Sequence, residues 1–500
     1  MAATWQDGYV TEIPYTQGFY HHLSPANLYL SLLTKQVQPR PLDQPFTYCE
    51  LACGYGLTTN VLAAAYPQGR FYANDFNATH IAQARQLAAD AGLTNVTFSD
   101  ASFQEYLEED LPEFDFICLH GIYSWISEEN RRVIREFIRR KLKVGGVVYV
   151  SYNTLPGWGV MAPIQKLMQA HRERSSGTLI ERLKTALELI ELLKNNQAIY
   201  LQHPWLAPRL EQFKNQNVHY LVHEFFNQHW HPLWVDEVMA EMSTAKLSYV
   251  GSAHVLDHID AFNLPTQAIN HLAQINDVAM RELVRDFYLN GQFRRDVYVR
   301  GPVTISGDMQ VRYFQPLPFV LTVLPEAVKL EHQTTAGQVQ LQPSLYEPLV
   351  AQLAQGPVTV AELVERLSPQ GITLQQIGQA LVVLTGLGYA HPVVGQGNPT
   401  EGFNRAVIQR AELDGEIQFL ASPVIGNGVK VSHLELLFLL AERRQQPSFD
   451  FVWGILERRG LKLTKDGQVL ETPQENRQFL QEQVTQFEQK GRALLRRLGI

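Results

Sequence analysis

The sequence predicts an α/β protein built on a parallel, doubly wound sheet of seven strands, with a helical insertion and further C-terminal regions. Three observations carry this prediction. Strand-like runs alternate with amphipathic helical patterns from Phe46 to Asn153, two more strand-like runs follow a helical stretch, and the first strand ends in a glycine-containing turn. Right-handed crossovers place ligands at the carboxyl ends of parallel strands, so we expect the functional site there.

Five strands and three helices are predicted between Phe46 and Asn153. The strands are FTYCELAC, RFYAND, VTFSD, FDFICLHG and VVYVSYN. The helices are TTNVLAAAYP, ATHIAQARQLAADAG and SEENRRVIREFIRRKL, whose apolar residues recur three and four positions apart. The runs KLSYVGSAHVL and FRRDVYVRG complete the sheet after a mostly helical stretch that includes LIERLKTALELIELLKNN.

The C-terminal part predicts two accessory regions. Three short helices followed by YAHPVV are typical of a winged-helix module. The third helix, ITLQQIGQALVVLTGLG, has no Lys or Arg to contact phosphates, so it favours protein contact over DNA binding. The tail ends in QFEQKGRALLRRLGI, which is typical of a packing or association helix, and we therefore expect any homodimer contact in these regions.

We divide the 500 residues into six regions, since single domains usually run to about 100 to 200 residues. They are an N-terminal aromatic and helical lid (1–45), a Rossmann-like ligand-binding core (46–155), a helical insertion (156–232), the last strands of the sheet (233–305), a winged-helix-like region (306–400) and a C-terminal helical region (401–500).

Composition narrows the partners and the compartment. A formal charge of −8 creates no field that would attract nucleic acid or an anionic membrane, so neither partner is expected. The three cysteines, Cys49, Cys53 and Cys118, are too few for a disulfide framework. The start MAATWQDGYV lacks a basic region and an apolar run, and no stretch is apolar over about 20 residues. We therefore expect a cytoplasmic protein.

The turn CELACGYGLTTN indicates a bound nucleotide. Gly54 and Gly56 let the backbone approach a ligand closely, and the following helix directs its amino terminus to the same place. Thr59 stands where a dinucleotide fingerprint needs a third glycine or alanine. Asp75 ends the second strand, about 20 residues on, where an acidic side chain accepts ribose hydroxyls, and Asp100 ends the third.

These residues resemble the first motifs of class I S-adenosylmethionine-dependent methyltransferases. Glu50, Gly54 and Gly56 match, while Ala52 stands in place of the first glycine and is expected to keep a negative φ. The resemblance implies a Rossmann-like seven-stranded methyltransferase sheet with S-adenosylmethionine as cofactor. It also implies positions for Glu50 near the methionine amino group, Asp75 on the ribose, and Asp100 with Ala101 by the adenine.

Two octamers give a narrower resemblance. HGIYSWIS follows the fourth strand and SYNTLPGW follows the fifth. Both are similar to bacterial methyltransferases that carry a methyltransferase regulatory domain, a group that includes the rickettsial protein-lysine methyltransferases. The helical middle region and the C-terminal extension resemble the layout of that group.

The remaining candidate residues come from the strand ends and the N-terminal arm. Tyr152, Asn153 and Tyr123 are the catalytic candidates, since polar tips on a buried strand are costly unless they meet a ligand or partner. His120 is a candidate for binding the cofactor. The arm YVTEIPYTQGFYHHLSP resembles a segment that closes over the cofactor, with Tyr15 and Tyr20 as lid candidates.

The segment HEFFNQHWHPLW contains His223, Glu224, His229 and His231, but its spacing matches no metal-binding helix and its aromatic residues favour core packing. No metal is expected.

The sequence therefore predicts an S-adenosylmethionine-dependent methyltransferase acting on a protein, at lysine. The alternatives are a small-molecule N- or O-methyltransferase, and a non-catalytic S-adenosylmethionine-binding interaction protein.

Overall fold

The structure, a computed structural model, describes residues 8–10, 13, 17–213, 216–394 and 400–500. At its centre is a seven-stranded sheet whose strands are β1 (Phe46–Leu51), β2 (Gly69–Asp75), β3 (Val96–Asp100), β4 (Phe114–Leu119), β5 (Leu142–Asn153), β6 (Ser248–Ser252) and β7 (Phe293–Val299). The strand order is β3-β2-β1-β4-β5-β7-β6, and β7 runs antiparallel to both of its neighbours. The predicted sheet, with its two late strands, is confirmed.

Helices cover both faces of the parallel part of the sheet. They are α1 (Pro25–Thr34), α2 (Leu57–Ala65), α3 (Ala78–Ala91), α4 (Phe103–Glu108) and α5 (Glu128–Lys141). Successive residues of a strand face opposite sides, so Tyr48 joins the core under α1 and α2 while Cys49 and Leu51 join the core under α4 and α5. The two cores hold the strand ends at one edge.

The helices between β5 and β7 fall into two groups around β6. They are α6 (Ala162–Arg174), α7 (Leu179–Asn195), α8 (Ala207–Phe213), α9 (Val218–Phe226), α10 (Val235–Ser243), α11 (Asp260–Asn263), α12 (Thr266–Leu272) and α13 (Val278–Leu289). Met168, Leu183 and Phe225 belong to one apolar core shared by α6, α7 and α9. This small core fixes α9 over the carboxyl edge of the sheet.

After the sheet come four helices and two small sheets. The elements are α14 (Gly307–Phe314), β8 (Pro318–Leu321), β9 (Glu331–Thr334), β10 (Gly337–Gln340), α15 (Pro343–Gln355), β11 (Val358–Thr359), α16 (Val360–Leu367), α17 (Leu374–Gly386) and β12 (Ala390–Pro392). β8 pairs with both β11 and β12, beside α15, α16 and α17. α17, the helix favoured for protein contact, packs at Gly386 against Leu256 of the same chain. The winged-helix description stays a prediction.

The last region packs on the Rossmann-like core. Its elements are α18 (Glu401–Arg410), β13 (Phe419–Ser422), β14 (Asn427–Lys430), α19 (His433–Arg443), α20 (Ser448–Arg459), β15 (Thr464–Lys465), β16 (Gln468–Val469), α21 (Pro473–Gln486) and α22 (Arg492–Arg497). Leu57, Val61 and Leu87 of α2 and α3 share its apolar core. Homodimer contact through this region stays a prediction. No helix in the described ranges is long and apolar enough to cross a bilayer.

The turn from β1 to α2 has three residues in the left-handed region. Ala52, Gly54 and Gly56 have φ of +52°, +54° and +64°. The expectation that Ala52 keeps a negative φ is wrong, because the chain must turn sharply at the end of β1. A side chain at Gly56 would collide with Ala84 and Phe98, at 2.7 Å from each, so this glycine serves packing.

A buried ion network ties β5, β7 and α13 together. The Arg294 guanidinium on β7 contacts Asp296, Asp286 and Glu282 at 3.0, 2.8 and 2.9 Å. The Tyr152 hydroxyl donates to the second oxygen of Asp296 at 2.6 Å. One cation here faces three buried carboxylates. A further hydrogen-bond donor to these carboxylates, such as the Tyr152 hydroxyl, therefore also stabilises the fold.

Replacing Ala52 with glycine is expected to raise the free energy of unfolding by roughly 0.5 kcal/mol, because relief of left-handed strain outweighs the added chain entropy. Ala82→Gly, in the exposed part of α3, is the matched control and should lower it by about 1 kcal/mol. Urea denaturation of both variants measures the difference. Equal losses in both would contradict the left-handed conformation of Ala52.

Tyr152→Phe is expected to lower the free energy of unfolding by about 1 to 3 kcal/mol, because it removes the nearest donor to a buried oxygen of Asp296 and leaves only the longer contacts from Arg294 at 3.2 Å and Tyr298 at 3.5 Å. Tyr72→Phe removes the same atom from β2, outside this network, and should change stability by less than about 0.5 kcal/mol. Denaturation curves compare the two, and an unchanged Tyr152→Phe protein would argue against the hydrogen bond.

Candidate active site

A cavity of about 510 Å³ lies at the carboxyl ends of β1 to β5, within the size range of small-molecule sites. α9 and the N-terminal segment complete its wall. The predicted site residues that line it are Tyr20, Glu50, Ala52, Gly54, Asp75, Ala101, His120 and Asn153. The sheet therefore gathers at one place residues that span more than 130 positions of the sequence.

Asp75 ends β2 and is held from three sides. One carboxylate oxygen accepts the backbone N–H of Gly54 at 2.9 Å, and the other accepts the N–H of Asn77 at 2.9 Å and lies 3.3 Å from His80 Nδ1. Only 5% of Asp75 is exposed. The glycine turn and the acidic strand end thus form one rigid unit at the cavity wall.

Glu50 is the second-last residue of β1. It lines the cavity and is 4% exposed. Burial raises the pKa of its carboxyl to about 7, although a hydrogen bond from the Thr59 hydroxyl opposes this rise. Thr59, the residue that breaks the dinucleotide fingerprint, therefore has a role as donor to this carboxylate. A cation beside Glu50 would restore its ionised form.

His120 and Tyr20 form a stacked aromatic pair in the cavity wall, with ring centroids 3.8 Å apart. His120 Nδ1 lies 2.8 Å from the Tyr149 hydroxyl and 3.0 Å from Ser151 Oγ. Burial lowers the pKa of His120 to about 3, so the ring is neutral at physiological pH and does not repel a cationic ligand. Tyr15, the other lid candidate, lies outside the described residues.

Asn153 ends β5 beside Phe293, the first residue of β7, and both line the cavity. The backbone N–H of Asn153 donates to Ser124 Oγ at 2.8 Å, which fixes the strand end. Trp125 and Trp158 also line the cavity. This end of the cavity is therefore aromatic, with one buried amide at its base.

α9 and the residue that follows it supply four lining residues that the sequence analysis did not assign to the cofactor or to catalysis. They are Tyr220, His223, Glu224 and Asn227. Burial raises the pKa of Glu224 to about 7, while the neighbouring Tyr220 and Asn153 side chains oppose the rise. The sequence does contain a signal for them, because residues spaced three and four positions apart lie on one face of a helix. The interpretation of this segment as core packing was therefore incomplete.

Four predicted residues do not line the cavity. Asp100 is exposed at the end of β3, Gly56 packs under the turn, and Tyr152 joins the Arg294 network. Tyr123 is buried and donates to Glu241 at 2.5 Å. Asp100 faces solvent and the other three pack or hydrogen-bond elsewhere in the protein. The structure therefore places none of the four in the cavity wall.

The charge of the cavity is one-sided. Glu50, Asp75 and Glu224 line it, and among its described lining residues there is no Lys or Arg. In the described part of the chain, no group of three or more His, Cys, Asp or Glu side chains is arranged to hold a metal ion. The cavity therefore favours an organic ligand that carries positive charge.

Two family models match the chain. A "Methyltransferase domain" matches residues 49–146, and a "Predicted methyltransferase regulatory domain" matches residues 217–300. The first range contains the ends of β1 to β4, and the second contains α9, β6 and β7. Both matched ranges therefore contribute residues to the cavity wall, together with the N-terminal residues and the end of β5.

Two relatives match much of the chain, and the first covers nearly all of it. "Uncharacterized protein sll1526" from Synechocystis sp. is 46% identical over 504 residues, which is 99% of this chain and 100% of the relative. "Uncharacterized protein RP789" from Rickettsia prowazekii is 26% identical over 322 residues, 63% of this chain and 57% of the relative.

The fold also matches a solved structure from end to end. PKMT2 from Rickettsia typhi, in complex with AdoHcy, has a TM-score of 0.70 and 21% identity, covering 96% of this chain and 99% of that chain. From the two family models and the full-length relative, the chain belongs to the class I S-adenosylmethionine-dependent methyltransferases that carry a methyltransferase regulatory domain.

Proposed function

We propose that this enzyme methylates a protein, at the side-chain amine of lysine. The observation that carries the proposal is the lining of the cavity, which combines buried carboxylates and aromatic rings with no Lys or Arg among its described residues. Such a site favours a cationic donor and a cationic acceptor over an anionic one. The octamers HGIYSWIS and SYNTLPGW, which resemble those of rickettsial protein-lysine methyltransferases, support the choice of lysine.

The cavity fits S-adenosylmethionine in space and in charge. A Cβ built on Gly54 would meet no atom within 4 Å, so the backbone there is open to a ligand. Glu50 would hold the ammonium group of the cofactor, Asp75 its ribose hydroxyls, and Ala101 its adenine. Tyr20 would cover the same ligand from the N-terminal side. When bound, the cofactor supplies an electrophilic methyl group carried on a sulfonium.

The aromatic end of the cavity suits a lysine acceptor. A lysine amine must lose a proton before it can attack, which costs about 4 kcal/mol at pH 7.4 from a pKa near 10.4. Trp125, Trp158 and Phe293 would exclude water from the amine and lower its pKa, an effect that reaches about 3 to 5 pH units for fully buried lysines. Asn153 would orient the amine by a hydrogen bond.

A small-molecule N- or O-methyltransferase is the second candidate. It is favoured by the N-terminal segment, which pairs with residues at the end of α9: the Val10 N–H donates to Asn227 Oδ1 at 2.9 Å, and the Gln228 N–H donates to Gly8 O at 3.0 Å. A segment anchored beside the cavity at residues 8–10 leaves more room for a compact acceptor than for a polypeptide.

Labelled S-adenosylmethionine incubated with the purified enzyme and a cell lysate is expected to put label into protein, and acid hydrolysis is expected to recover it as methyl-lysine. The same lysate without enzyme is the control. Label confined to small molecules would support the second candidate, and label in another amino acid would contradict lysine as acceptor.

The affinity for S-adenosylmethionine is expected to fall about tenfold from pH 7.5 to pH 6. Glu50 has a raised pKa of about 7 in the free protein, and a cation beside it would lower that pKa. Binding below pH 7 must therefore release the proton, which weakens affinity, whereas above pH 7 the carboxylate is already ionised. Calorimetry in buffers of different ionisation enthalpy measures this proton release.

Glu50→Gln is the control for this pH dependence. It cannot titrate, so its weaker affinity should not change over the same pH range. A wild-type protein with pH-independent affinity would show that Glu50 does not face the cationic end of the cofactor.

A further inference from the structure

Glu224 is a buried carboxylate that faces the cavity from α9. It is 7% exposed, and its Oε1 accepts no hydrogen bond from any residue that the structure describes. A buried acceptor without a donor destabilises the folded protein, and more strongly when the group is charged. The structure bears that cost at a cavity wall, which points to a donor supplied by a ligand.

The position of Glu224 separates it from the residues proposed to hold the cofactor. Gly54, Asp75 and Ala101 lie at the carboxyl ends of β1, β2 and β3, which are neighbours in the sheet. Asn153 ends β5, and β4 separates that strand from β1. The Asn153 side chain is close enough to the Glu224 carboxylate to lower its pKa, so the two side chains are neighbours, although the Asn153 amide nitrogen makes no hydrogen bond within the described residues. Glu224 therefore lies at the β5 end of the cavity, among its aromatic residues.

Few titratable or polar groups among the described residues face Glu224. Tyr220 and His223 lie on α9 itself, Asn153 approaches from β5, and Tyr9 approaches from the N-terminal segment. None of the described lining residues is Lys or Arg, so this part of the cavity wall supplies no permanent cation to pair with the carboxylate. The partner that fits this position is an ammonium group that enters with the acceptor.

We propose that Glu224 forms the acceptor-amine subsite, where its carboxylate binds the ammonium group of the acceptor and takes one proton from it. This inference rests on the proposed function and deepens it by assigning the group that activates the amine. Glu224 would be a catalytic residue contributed by the matched regulatory range rather than by the methyltransferase range.

The proposed step balances in charge and atoms. The ammonium gives one proton to the Glu224 carboxylate and becomes a neutral amine. The amine nitrogen then forms a bond to the methyl carbon as the carbon–sulfur bond of the donor breaks, and that electron pair stays on sulfur. The methylated product is again a cation, and Glu224 returns its proton to water when the product leaves.

The acidity of Glu224 suits this exchange. Burial raises its pKa to about 7, which is within reach of a lysine whose own pKa falls by about 3 units in an aromatic site beside a sulfonium. A base whose pKa lies near the working pH is deprotonated in a large fraction of the molecules and still has enough proton affinity to accept a proton. Such bases contribute roughly 10²- to 10⁴-fold to a rate.

The test uses the full chain with Glu224→Gln, Glu224→Asp and the control Glu237→Gln, which removes an exposed carboxylate on α10. Glu224→Gln should slow label transfer from S-adenosylmethionine to lysate protein at least 100-fold and remove the rise of rate through pH 7. Glu224→Asp should retain part of the rate. Glu237→Gln should match wild type, and AdoHcy affinity by calorimetry should stay within threefold in all variants.

A second measurement does not depend on turnover. N-acetyl-lysine methylamide is titrated into AdoHcy-saturated protein, and Glu224→Gln is expected to weaken its binding at least tenfold. Wild-type rate and wild-type amine affinity in a folded Glu224→Gln protein would overturn the inference. If Glu224→Gln does not fold, a wild-type rate, pH profile and amine affinity in Glu224→Asp would do so.

The two proposals fail in different ways. Wild-type enzyme that labels no lysine contradicts the proposed function, and amine affinity that still depends on Glu224 would then retain the subsite for a small amine. Lysine labelling that is insensitive to Glu224 contradicts only the subsite.

Discussion

The negative charge in the cavity constrains its ligands. Glu50, Asp75 and Glu224 face one space of about 510 Å³, and no described lining residue is Lys or Arg. Burial raises the pKa of both Glu50 and Glu224 to about 7, and the negative charge of Asp75 adds to the rise at Glu50. A cofactor and an acceptor that bring positive charge into the cavity would offset the unfavourable burial of these acidic groups.

The Arg294 network shows how the same fold treats buried acids that are not part of the cavity. There a guanidinium contacts three carboxylates at 2.8 to 3.0 Å, and the Tyr152 hydroxyl completes the set. The network holds the start of β7, and with it Phe293, at the cavity edge. The buried carboxylates behind the sheet edge face a guanidinium, whereas no Lys or Arg is among the described residues that line the cavity with Glu50, Asp75 and Glu224.

α9 joins regions that are separate in the sequence. One face belongs to the helical core of α6 and α7, and another presents Tyr220 and Glu224 to the cavity. The N-terminal segment binds beside it, with the Tyr9 ring 5.6 Å from His223 and 5.8 Å from Phe76, which follows β2. The methyltransferase core therefore provides the strand ends, while α9 and the N-terminal segment decide how the cavity is closed.

The sequence by itself determined the sheet, the glycine turn and the strand-end residues Glu50 and Asp75, because strand periodicity and the spacing of strand ends are local properties of the chain. It could not decide between Tyr152 and Asn153, since neighbouring residues of a strand face opposite sides and both sides of β5 are buried. Nor could it find Glu224, because only the packing of α9 brings this side chain to a sheet edge that lies about 70 residues away in the sequence. Local pattern fixed the elements, and long-range packing decided which of their side chains share the cavity.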